Sequence, residues 1–323
     1  MILAIGNSGA YEINAFREVL EELAKRDTSA IMLKQDKCLE GETLLHMIDE
    51  RGSRSLAIID EREYETKDFE AVWYMKPHLP KELLGFEPAK YRHMIQKQFY
   101  TLRESLWSLL GDKIWINDPW AITKADNKIC QLDLAFKLGF VVPRTLVTSD
   151  PSKVREFYKA VNGQMIMKLL ATSLVLDEVI YTNFVTLERM DQIDGVKFSP
   201  AIFQECVPKD YELRVTVVGD KIFSVKIYSQ EDEETSLDWR KKPKTNDFDV
   251  RMEPVVLPEA VTAKLRAYMS AVGLRYGSFD LIVTPEGQYV FLEVNPNGQW
   301  YFVQTRTGLP IASALADLLV SKG

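Results

Sequence analysis

Short apolar runs alternate with helical patterns in the first part of the chain. The runs that predict strands are residues 2–5, 30–33, 56–59 and 71–75. Between the first two, apolar residues recur at i, i+3, i+4 and i+7 from Phe16 to Leu23, after Asn14, and this spacing predicts a helix. Strands that alternate with helices are typical of an α/β domain, which we place at residues 1–115.

Two further features of this domain bear on function. The turn Gly6–Asn7–Ser8–Gly9 could hold a phosphate at a helix N-terminus. It lacks the full dinucleotide fingerprint, so an ordinary strand–helix turn is the better interpretation. A long helical pattern from Pro88 to Leu110 carries apolar residues on one side and predicts a structural or dimer-facing helix, followed by a strand at residues 114–117.

The rest of the chain predicts two further units with mixed helices and strands. The predicted strands are residues 165–170, 177–185, 201–207, 211–218, 222–228, 277–283 and 289–294. The predicted helices are residues 126–138, 151–160, 187–194, 258–272 and 311–319, and the polar stretch 229–249 predicts a loop or a functional lid. We place a central unit at residues 116–198 and a C-terminal unit at residues 199–323.

The last two strands form a predicted hairpin with an acidic face. Asp280 lies near the start of the first strand, and Glu293 and Asn295 lie near the end of the returning one. Positions two apart on a strand point to one face, so the hairpin should bring the three side chains together. Two carboxylates and an amide oxygen suit Mg²⁺, which shares its shell with substrate phosphates, so a nucleotide is expected nearby. A solvated strand face with an Asn-Pro turn is the alternative.

Charged residues inside other strands give a second signal. Lys168 lies within the apolar run 165–170, where a lysine is costly unless it meets a counter-charge. A nucleotide phosphate is the natural counter-charge, and an edge lysine that reaches solvent is the alternative. In the strand 211–218, Glu212 and Arg214 share one face while apolar residues occupy the other.

Composition narrows the class of protein. The 323 residues are 46% hydrophobic and 27% charged, with a net charge of −7, which gives no footprint for nucleic-acid binding. Cys38, Cys130 and Cys206 are far apart, so neither a disulfide framework nor a CxxC metal site is supported. No apolar run approaches the length of a membrane span and no signal peptide is evident, so we expect a cytoplasmic protein without a membrane partner.

The chemistry-bearing residues follow the order of a known fold. Two lysines, an acidic strand end, an arginine and a metal-binding hairpin resemble the ATP-grasp fold, which clamps ATP between two α+β subdomains. Further motifs are similar to those of the microviridin-type peptide maturases, also called graspetide synthetases. These motifs are Asn127–Lys128 with Gln131–Leu132, Gly139-x-x-x-Pro143-x-Thr145, Phe203–Gln204–Glu205-x-Val207-x-Lys209, Glu212–Leu213–Arg214–Val215, Asp238–Trp239–Arg240 and Phe291–Leu292–Glu293–Val294–Asn295–Pro296–Asn297–Gly298–Gln299–Trp300.

The resemblance covers residues 115–319 strongly, and the preceding residues match only in their α/β pattern and a Val72–Trp73–Tyr74 strand. It implies an α/β, ATP-grasp architecture behind an N-terminal pre-ATP-grasp domain, with ATP and Mg²⁺ as cofactors. The phosphates would be gripped by Lys128 and Lys168, and the hairpin would hold Mg²⁺. The nucleotide contacts implied in full are Lys128, Lys168, Gln204, Glu205, Cys206, Val207 and Glu212, with the adenine edge read by backbone at residues 205–207.

The resemblance also implies a reaction and its partners. A side-chain carboxylate of a ribosomal precursor peptide would be phosphorylated and then attacked by a Ser or Thr hydroxyl or a Lys amine, giving an ω-ester or an amide. Arg214 and Arg240 would stabilise the transferred phosphate and the tetrahedral intermediate. The family forms homodimers and binds a leader peptide away from the active site. The acidic helix with Glu188, Asp191 and Asp194 is a candidate leader contact, although a solvated helix face is the better interpretation.

Other functions remain open from the sequence. Another ATP-grasp ligase could add an amino acid to a peptide or protein C-terminus, and a nucleotide-binding module could lack turnover. One departure concerns the phosphate loop, because residues 169–177 contain no glycine, unlike many ATP-grasp ligases. This departure leaves open which loop covers the triphosphate.

Overall fold

The computed structural model describes residues 1–50, 52–170, 174–175, 178–179, 182–231, 235, 237–239 and 250–321. Within them, the helices are α1 (Ala10–Ala24), α2 (Lys81–Leu84), α3 (Ala89–Leu109), α4 (Pro119–Ala125), α5 (Lys128–Lys137), α6 (Pro151–Ala160), α7 (Leu187–Asp191), α8 (Glu259–Val272), α9 (Tyr301–Thr307) and α10 (Ile311–Val320). The strands are β1 (Ile2–Gly6), β2 (Ala30–Lys34), β3 (Thr43–Asp49), β4 (Gly52–Ile59), β5 (Arg62–Glu65), β6 (Ala71–Tyr74), β7 (Ile114–Ile116), β8 (Thr145–Thr148), β9 (Met165–Lys168), β10 (Leu174–Val175), β11 (Glu178–Val179), β12 (Asn183–Phe184), β13 (Ala201–Glu205), β14 (Tyr211–Val218), β15 (Lys221–Ile227), β16 (Met252–Pro254), β17 (Tyr276–Val283) and β18 (Tyr289–Asn295).

The N-terminal domain is built on a parallel four-stranded sheet in the order β2-β1-β6-β7. Every residue of β1 is buried, because helices cover both faces of the sheet. On one face α1 contributes Ala15, Val19 and Leu23, and on the other α3 contributes Leu106 and Trp107. The predicted α/β class of this domain is confirmed.

The domain differs from the sequence prediction in two places. The first helix begins at Ala10, earlier than the predicted start after Asn14, with Gly9 as its extended N-cap residue. An antiparallel sheet in the order β3-β4-β5 is present, of which only residues 56–59 were predicted. The strand β3 buries only Leu44, and the only apolar contact of β5 with the core is made by Tyr64, so neither strand carries a buried apolar run.

The turn between β1 and α1 is filled by a side chain of the protein itself. The carboxylate of Asp36 accepts hydrogen bonds from the backbone N–H and the hydroxyl of Ser8, at 2.8 and 2.6 Å. An anion of the protein thus lies where a phosphate could have been held. This supports the interpretation of Gly6–Gly9 as an ordinary turn.

The long helix α3 matches the prediction, but its apolar stripe is core only in part. Leu106 is fully buried, whereas Tyr91, Leu102 and Leu109 are exposed. The stripe therefore leaves an apolar face on the surface of the N-terminal domain.

The central unit has an antiparallel sheet in the order β12-β9-β13-β8. Its helix α6 begins at Pro151 as predicted, and the side chain of Asp150 caps it by accepting from Ser152 N–H at 2.8 Å. Because β13 lies between β9 and β8, this sheet runs past the boundary that the sequence predicted at residue 199. The pattern of a strand predicts its existence, but not which sheet it joins.

Two predicted segments are described only in part. The strand predicted at residues 177–185 contains β11 and β12, and residues 176–177 and 180–181 lie outside the described residues. The loop predicted at residues 229–249 is described at residues 229–231, 235 and 237–239.

The C-terminal unit has a five-stranded antiparallel sheet in the order β16-β15-β14-β17-β18. The alternation predicted for β14 is confirmed, since Leu213, Val215 and Val217 pack in the core beneath α8. The opposite face carries Glu212 and Arg214, and Val218 at its far end packs in the core that includes α10. A short helix, α9, follows the hairpin and was not predicted.

The C-terminal helix joins the first domain to the last. The small residues of α10 are buried in a core shared with α1, and Arg26 of the N-terminal domain forms an ion pair with Asp317. The hydroxyl of Tyr11 accepts hydrogen bonds from the backbone N–H groups of Trp300 and Tyr301, at 2.7 and 2.8 Å. These contacts fix the N-terminal domain against the end of the hairpin.

A buried amide completes this connection. Asn117, 1% exposed, donates to the carbonyls of Tyr276 and Pro296, both at 2.7 Å. Its oxygen accepts from the N–H groups of Arg275 and Tyr276, at 2.8 and 2.9 Å. The start of β17 and the loop after β18 are therefore held by one side chain. Within the described part of the chain, no helix has the length and apolar character to span a bilayer.

Candidate active site

A cavity of about 350 Å³ lies between the central sheet and the C-terminal sheet. Most of the site residues predicted from the sequence line it. They are Lys128, Lys168, Gln204, Glu205, Cys206, Val207, Glu212, Asp280, Glu293 and Asn295. Residues far apart along the chain therefore meet in one place.

The acidic wall of the cavity is set by strand register. β14 places Arg214 opposite Asp280, and β18 places Glu293 opposite Asp280 on the other side. Directly opposed side chains in an antiparallel sheet lie about 5 Å apart, so a cation and two carboxylates form one row. Asn295 lies two residues beyond Glu293 on the same face, as predicted.

A β-bulge widens the exposed part of this wall. The pairing of β17 with β18 shifts by one residue after Asp280. As a result Leu292 and Glu293 both face the cavity, between Phe291 and Val294, which are buried in the core. The bulge therefore places an apolar side chain next to the carboxylates in the same wall.

The hairpin brings its three oxygen-bearing side chains together. The amide nitrogen of Asn295 donates to Asp280 Oδ2 at 3.2 Å and to Glu293 Oε1 at 3.4 Å. The described residues contain no cluster of three His, Cys, Asp or Glu side chains, so the protein offers a partial shell. Mg²⁺ is bound in this way, through one or two carboxylates and the oxygens of a substrate phosphate and water. The donor set fits that ion.

Arg214 lies behind the acidic wall and is absent from the cavity lining. It is 7% exposed and donates through Nη1 to both oxygens of Asp280, at 2.9 and 3.0 Å, and through Nη2 to the carbonyl of Gln299. Burial opposes its charge, but the attraction and hydrogen bonds of Asp280, together with Tyr276 and Glu293, outweigh burial and raise the pKa of the guanidinium. Arg214 therefore acts on the cavity through Asp280.

The loop after the hairpin approaches Arg214 closely. A Cβ at Gly298 would lie 2.4 Å from Ser278 Cβ and 2.8 Å from Arg214 Nη2. No larger residue fits there without displacing one of these groups. The Asn-Gly-Gln-Trp extension of the motif thus has a packing reason for its glycine.

Gln131 holds the backbone of Val294, the residue of β18 that lies between Glu293 and Asn295. This glutamine, 3% exposed, donates to the carbonyls of Ala125 and Val294, at 2.7 and 2.8 Å, and accepts from Val294 N–H at 3.1 Å. Val294 lies between Glu293 and Asn295. Both hydrogen-bonding groups of that residue are therefore fixed by a side chain of α5.

The same helix delivers the first lysine. Lys128 is the first residue of α5, and Asn127 caps the helix by accepting from the N–H groups of Ile129 and Cys130, both at 3.1 Å. Lys128 Nζ donates to the carbonyl of Leu169 at 3.3 Å. Its ammonium lies at a helix N-terminus, where two sources of positive potential add.

The second lysine is held by a buried amide. Lys168 Nζ donates to Gln204 Oε1 at 2.9 Å, and Gln204 in turn donates to the hydroxyl of Thr145 at 3.0 Å. Gln204 is 2% exposed, so its side chain orients Lys168 from within the sheet. Lys168 is half-buried in the cavity wall.

The residues at the end of β13 and directly after it line the cavity. The side chain of Glu205 turns outward and forms a two-point ion pair with Arg144, at 2.9 and 3.0 Å, which lowers the pKa of the carboxyl. Cys206 N–H donates to the carbonyl of Gln164 at 2.9 Å. Among the described residues, Val207 N–H has no hydrogen-bond acceptor. An acceptor carbonyl and a donor N–H two residues apart suit the edge of a purine base.

An ion pair also lines the cavity. Lys209 Nζ donates to Glu212 Oε1 at 2.6 Å and to the carbonyl of Leu237. Burial raises the pKa of the Glu212 carboxyl, although Lys209 partly offsets the shift. Lys209 belongs to the motif that begins at Phe203, but no feature of the sequence around it predicts this ion pair.

Other residues that line the cavity come from the N-terminal domain and from the segment after β15. Lys76, at the end of β6, is contributed by the N-terminal domain, to which the sequence assigned no site residue. Asp238 and Trp239 line the cavity, and Trp239 packs on Phe302. Arg240, the last residue of the Asp238–Trp239–Arg240 motif, lies outside the described residues, so its predicted role stays a prediction.

A second cavity adjoins the first. It is lined by Glu188 and other residues of β12 and α7, and Leu237 lines both cavities. The other two acidic residues predicted as leader contacts are placed differently. Asp191 is exposed outside this cavity, and Asp194 forms an ion pair with Arg155 at 3.0 Å.

Known structures share this architecture. The chain matches the macrocyclase MdnC from Microcystis aeruginosa MRC, solved with precursor peptide MdnA, with a TM-score of 0.86 and 27% identity over 99% of both chains. It matches the Chryseobacterium gregarium RiPP-associated ATP-grasp ligase, solved with ADP and a leader and core peptide, with a TM-score of 0.86 and 26% identity. That match covers 98% of this chain and 96% of the other. The chain is an ATP-grasp ligase.

A curated relative also supports an enzyme of this kind. The ligase is 26% identical to the α-aminoadipate–LysW ligase LysX of Sulfurisphaera tokodaii, over 71% of this chain and 78% of LysX. No protein-family model matches the ligase. Because the structural matches cover nearly the whole chain, the predicted ATP-grasp fold with a preceding α/β domain is confirmed.

The clamp on Val294 gives a first testable prediction. We expect Gln131→Met to lower the free energy of unfolding by roughly 2–5 kcal/mol, because buried backbone groups of Val294 and Ala125 lose their partners. We expect kcat for ATP turnover to fall about tenfold or more, because Glu293 and Asn295 shift. Denaturant unfolding and steady-state kinetics measure both effects. Gln288→Met, in the exposed turn of the same hairpin, is the matched control, and equal behaviour of the two variants would contradict the clamp.

Proposed function

We propose that this ligase joins side chains within a ribosomally made precursor peptide. One observation carries the proposal. Lys128, Lys168 and the acidic hairpin face one cavity in a chain that superposes on a peptide macrocyclase over nearly its whole length. Closure of a carboxylate onto a hydroxyl gives an ester, and closure onto an amine gives an amide.

The cavity holds MgATP. Lys128 and Lys168 neutralise the phosphates, and the backbone carbonyl of Glu205 and N–H of Val207 bind the adenine edge. Asp280, Glu293 and Asn295 hold Mg²⁺. The ion supplies neutralisation of charge between the phosphate groups. Gln204 acts by orienting Lys168, and Lys209 and Glu212 form a polar boundary of the nucleotide site.

The reaction has two steps. An oxygen of an Asp or Glu side chain of the peptide attacks the γ-phosphorus, the bond from that phosphorus to the bridging oxygen breaks, and ADP leaves. A Ser or Thr hydroxyl or a Lys amine then attacks the acyl carbon, the carbon–oxygen bond to phosphate breaks, and phosphate leaves while the nucleophile loses its proton. The peptide loses one water per link. Positioning and charge neutralisation supply most of the catalysis of such phosphoryl transfer.

Arg214 and Arg240 have different roles in the proposed reaction. Arg214 positions Asp280 from behind the wall through its two-point ion pair. Arg240, outside the described residues, stabilises the transferred phosphate and the tetrahedral intermediate.

A second candidate function rests on the relationship to LysX. In that case the activated carboxylate belongs to one molecule and the amine to a free amino acid or a second protein. The two reactions change the mass of the peptide in opposite directions, since a ring closure removes water and a ligation adds a residue. The far greater coverage of MdnC favours ring closure.

The second cavity binds the leader of the peptide. Glu188 faces it, and Leu237 joins it to the active-site cavity, so a peptide can run from one to the other. A basic leader residue complements Glu188. Asp194 is already paired with Arg155, which makes it the weaker contact.

Two copies of the chain associate through α3. Its exposed apolar residues Tyr91, Met94, Leu102 and Leu109 lie at i, i+3, i+11 and i+18, which is one side of a helix. An apolar stripe left on a helix surface is covered favourably by a second copy. A cytoplasmic location stays a prediction from the sequence.

The acyl phosphate gives the decisive test. We expect the wild-type ligase, with ATP, Mg²⁺ and a synthetic precursor peptide from the reading frame next to its gene, to release ADP and remove one water mass per link. Added hydroxylamine should convert the acyl phosphate into a hydroxamate, detected by mass spectrometry. Glu293→Gln and chelation of Mg²⁺ should each abolish both products, with a kcat loss of about a hundredfold or more.

Glu286→Gln, an exposed residue in the turn of the same hairpin, is the matched control and should retain activity. ATP binding without ADP release in the wild type would favour a module without turnover. A gain of one residue mass in the peptide would favour the LysX-like reaction.

The leader contact can be tested by charge reversal. We expect Glu188→Lys to weaken binding of the precursor peptide about tenfold, the effect of roughly 1.4 kcal/mol, while the affinity for ATP is unchanged. Fluorescence anisotropy of a labelled leader peptide measures the change. Asp191→Lys on the same helix is the control because Asp191 lies outside the second cavity. Equal losses in both variants would indicate a nonspecific field effect.

The α3 interface predicts an oligomeric state. We expect the ligase to sediment as a dimer and Leu102→Glu to sediment as a monomer, because a buried charge without a partner costs several kcal/mol. Lys97→Glu, exposed on another side of the helix, should remain a dimer. Analytical ultracentrifugation measures the oligomeric state. A Leu102→Glu variant that remains a dimer would show that the interface lies elsewhere.

A further inference from the structure

Lys76 extends the active site into the N-terminal domain. It follows β6 and lines the active-site cavity together with residues of the two other units. With its amide oriented so that both polar atoms find partners, Asn297 donates to the carbonyl of Tyr74 at 3.1 Å. The end of β6 is therefore fastened to the loop directly after Asn295, at the acidic end of the cavity.

The backbone around Lys76 is held in an uncommon conformation. Its φ of 58° lies in the left-handed region, which side chains other than glycine seldom adopt. Asn7, 3% exposed, spans the residue by donating to the Lys76 carbonyl at 3.4 Å and accepting from His78 N–H at 3.0 Å. Pro77 is buried while the Lys76 side chain is exposed. Strained residues that persist in this way concentrate at functional sites.

The side-chain charge of Lys76 has no counter-charge in the part of the chain that the structure describes. Among the described residues, no carboxylate forms an ion pair with it. The other lysines of the cavity are engaged differently, since Lys209 is paired with Glu212, and Lys128 and Lys168 belong to the central unit that faces the phosphates. Lys76 approaches from the opposite unit, next to the wall that holds the γ-phosphate end of the nucleotide in the proposed function.

The reaction needs a cation at that position. Both reactants are anions, so a peptide carboxylate is repelled by the triphosphate unless its charge is balanced. A cation on the peptide side, separate from those on the nucleotide side, binds the carboxylate without releasing the phosphates. We propose that Lys76 binds the Asp or Glu side-chain carboxylate that this ligase activates. The inference rests on the proposed function and adds the residue that receives the peptide acid.

The test measures binding, so it does not depend on turnover. Calorimetry with a non-hydrolysable ATP analogue and Mg²⁺ compares the synthetic precursor peptide with a version whose reacting Asp and Glu residues are replaced by Asn and Gln. We expect the wild type to bind the acidic peptide about tenfold more tightly, the effect of one charge-assisted contact. We expect Lys76→Ala to bind both peptides equally, and Lys76→Arg to restore the preference. The affinity for the ATP analogue should not change.

Two further variants separate charge from backbone. Lys76→Gly removes the charge and relieves the left-handed strain, so it should lose the preference as Lys76→Ala does while resisting denaturant at least as well. Lys81→Ala, at an exposed lysine of α2, should keep the wild-type preference. A Lys76→Ala variant that still prefers the acidic peptide would overturn the assignment. A wild type that prefers the acidic peptide but forms no hydroxamate would refute the proposed reaction and keep Lys76 as a carboxylate-binding residue.

Discussion

The antiparallel register that sets Arg214, Asp280 and Glu293 side by side is the constraint on which the site depends. Two neighbouring carboxylates repel each other. The buried Arg214 neutralises one of them, and the amide of Asn295 donates a hydrogen bond to each. Because Arg214 is buried, solvent and salt screen its attraction to Asp280 only weakly. The ion pair and the hydrogen bonds thus hold the two carboxylates in fixed positions, and groups that are fixed in advance need little reorganisation during a reaction.

Buried amides carry the rest of the geometry. Gln131 fixes Val294 of the hairpin to the helix that begins with Lys128, and Asn117 fixes the two ends of the hairpin to the strand that closes the N-terminal domain. An amide offers donors and an acceptor without a charge, so it can join two backbones in a core at small desolvation cost. The relative positions of Lys128 and the acidic wall therefore follow from uncharged side chains.

The cavity-lining residues that could be predicted from the sequence are charged residues that interrupt otherwise apolar strands. They are the acidic residues of the hairpin and Lys168 within its apolar run. The sequence could not predict Gln131 as a clamp, because a polar residue on a helix indicates solvent unless its packing partner is known. Strand faces were predicted correctly, but a face does not tell which side chain reaches a cavity. Arg214 lies behind the wall, and the side chain of Glu205 is paired with Arg144. Lys76 follows an ordinary strand end, and only the docking of two distant units brings it to the cavity.

The cavity is lined by charged residues from all three units. Lys128 and Lys168 come from the central unit, the carboxylates of Asp280 and Glu293 from the C-terminal unit, and Lys76 from the N-terminal domain. Two unit charges 4 Å apart interact by about 1 kcal/mol in water and about 4 kcal/mol near a protein surface, so an unbalanced anion would be excluded from such a site. If all of these cations belonged to one domain, that domain would have to fold against the repulsion between them. Distribution over three units brings the like charges together only when the cores between them have formed.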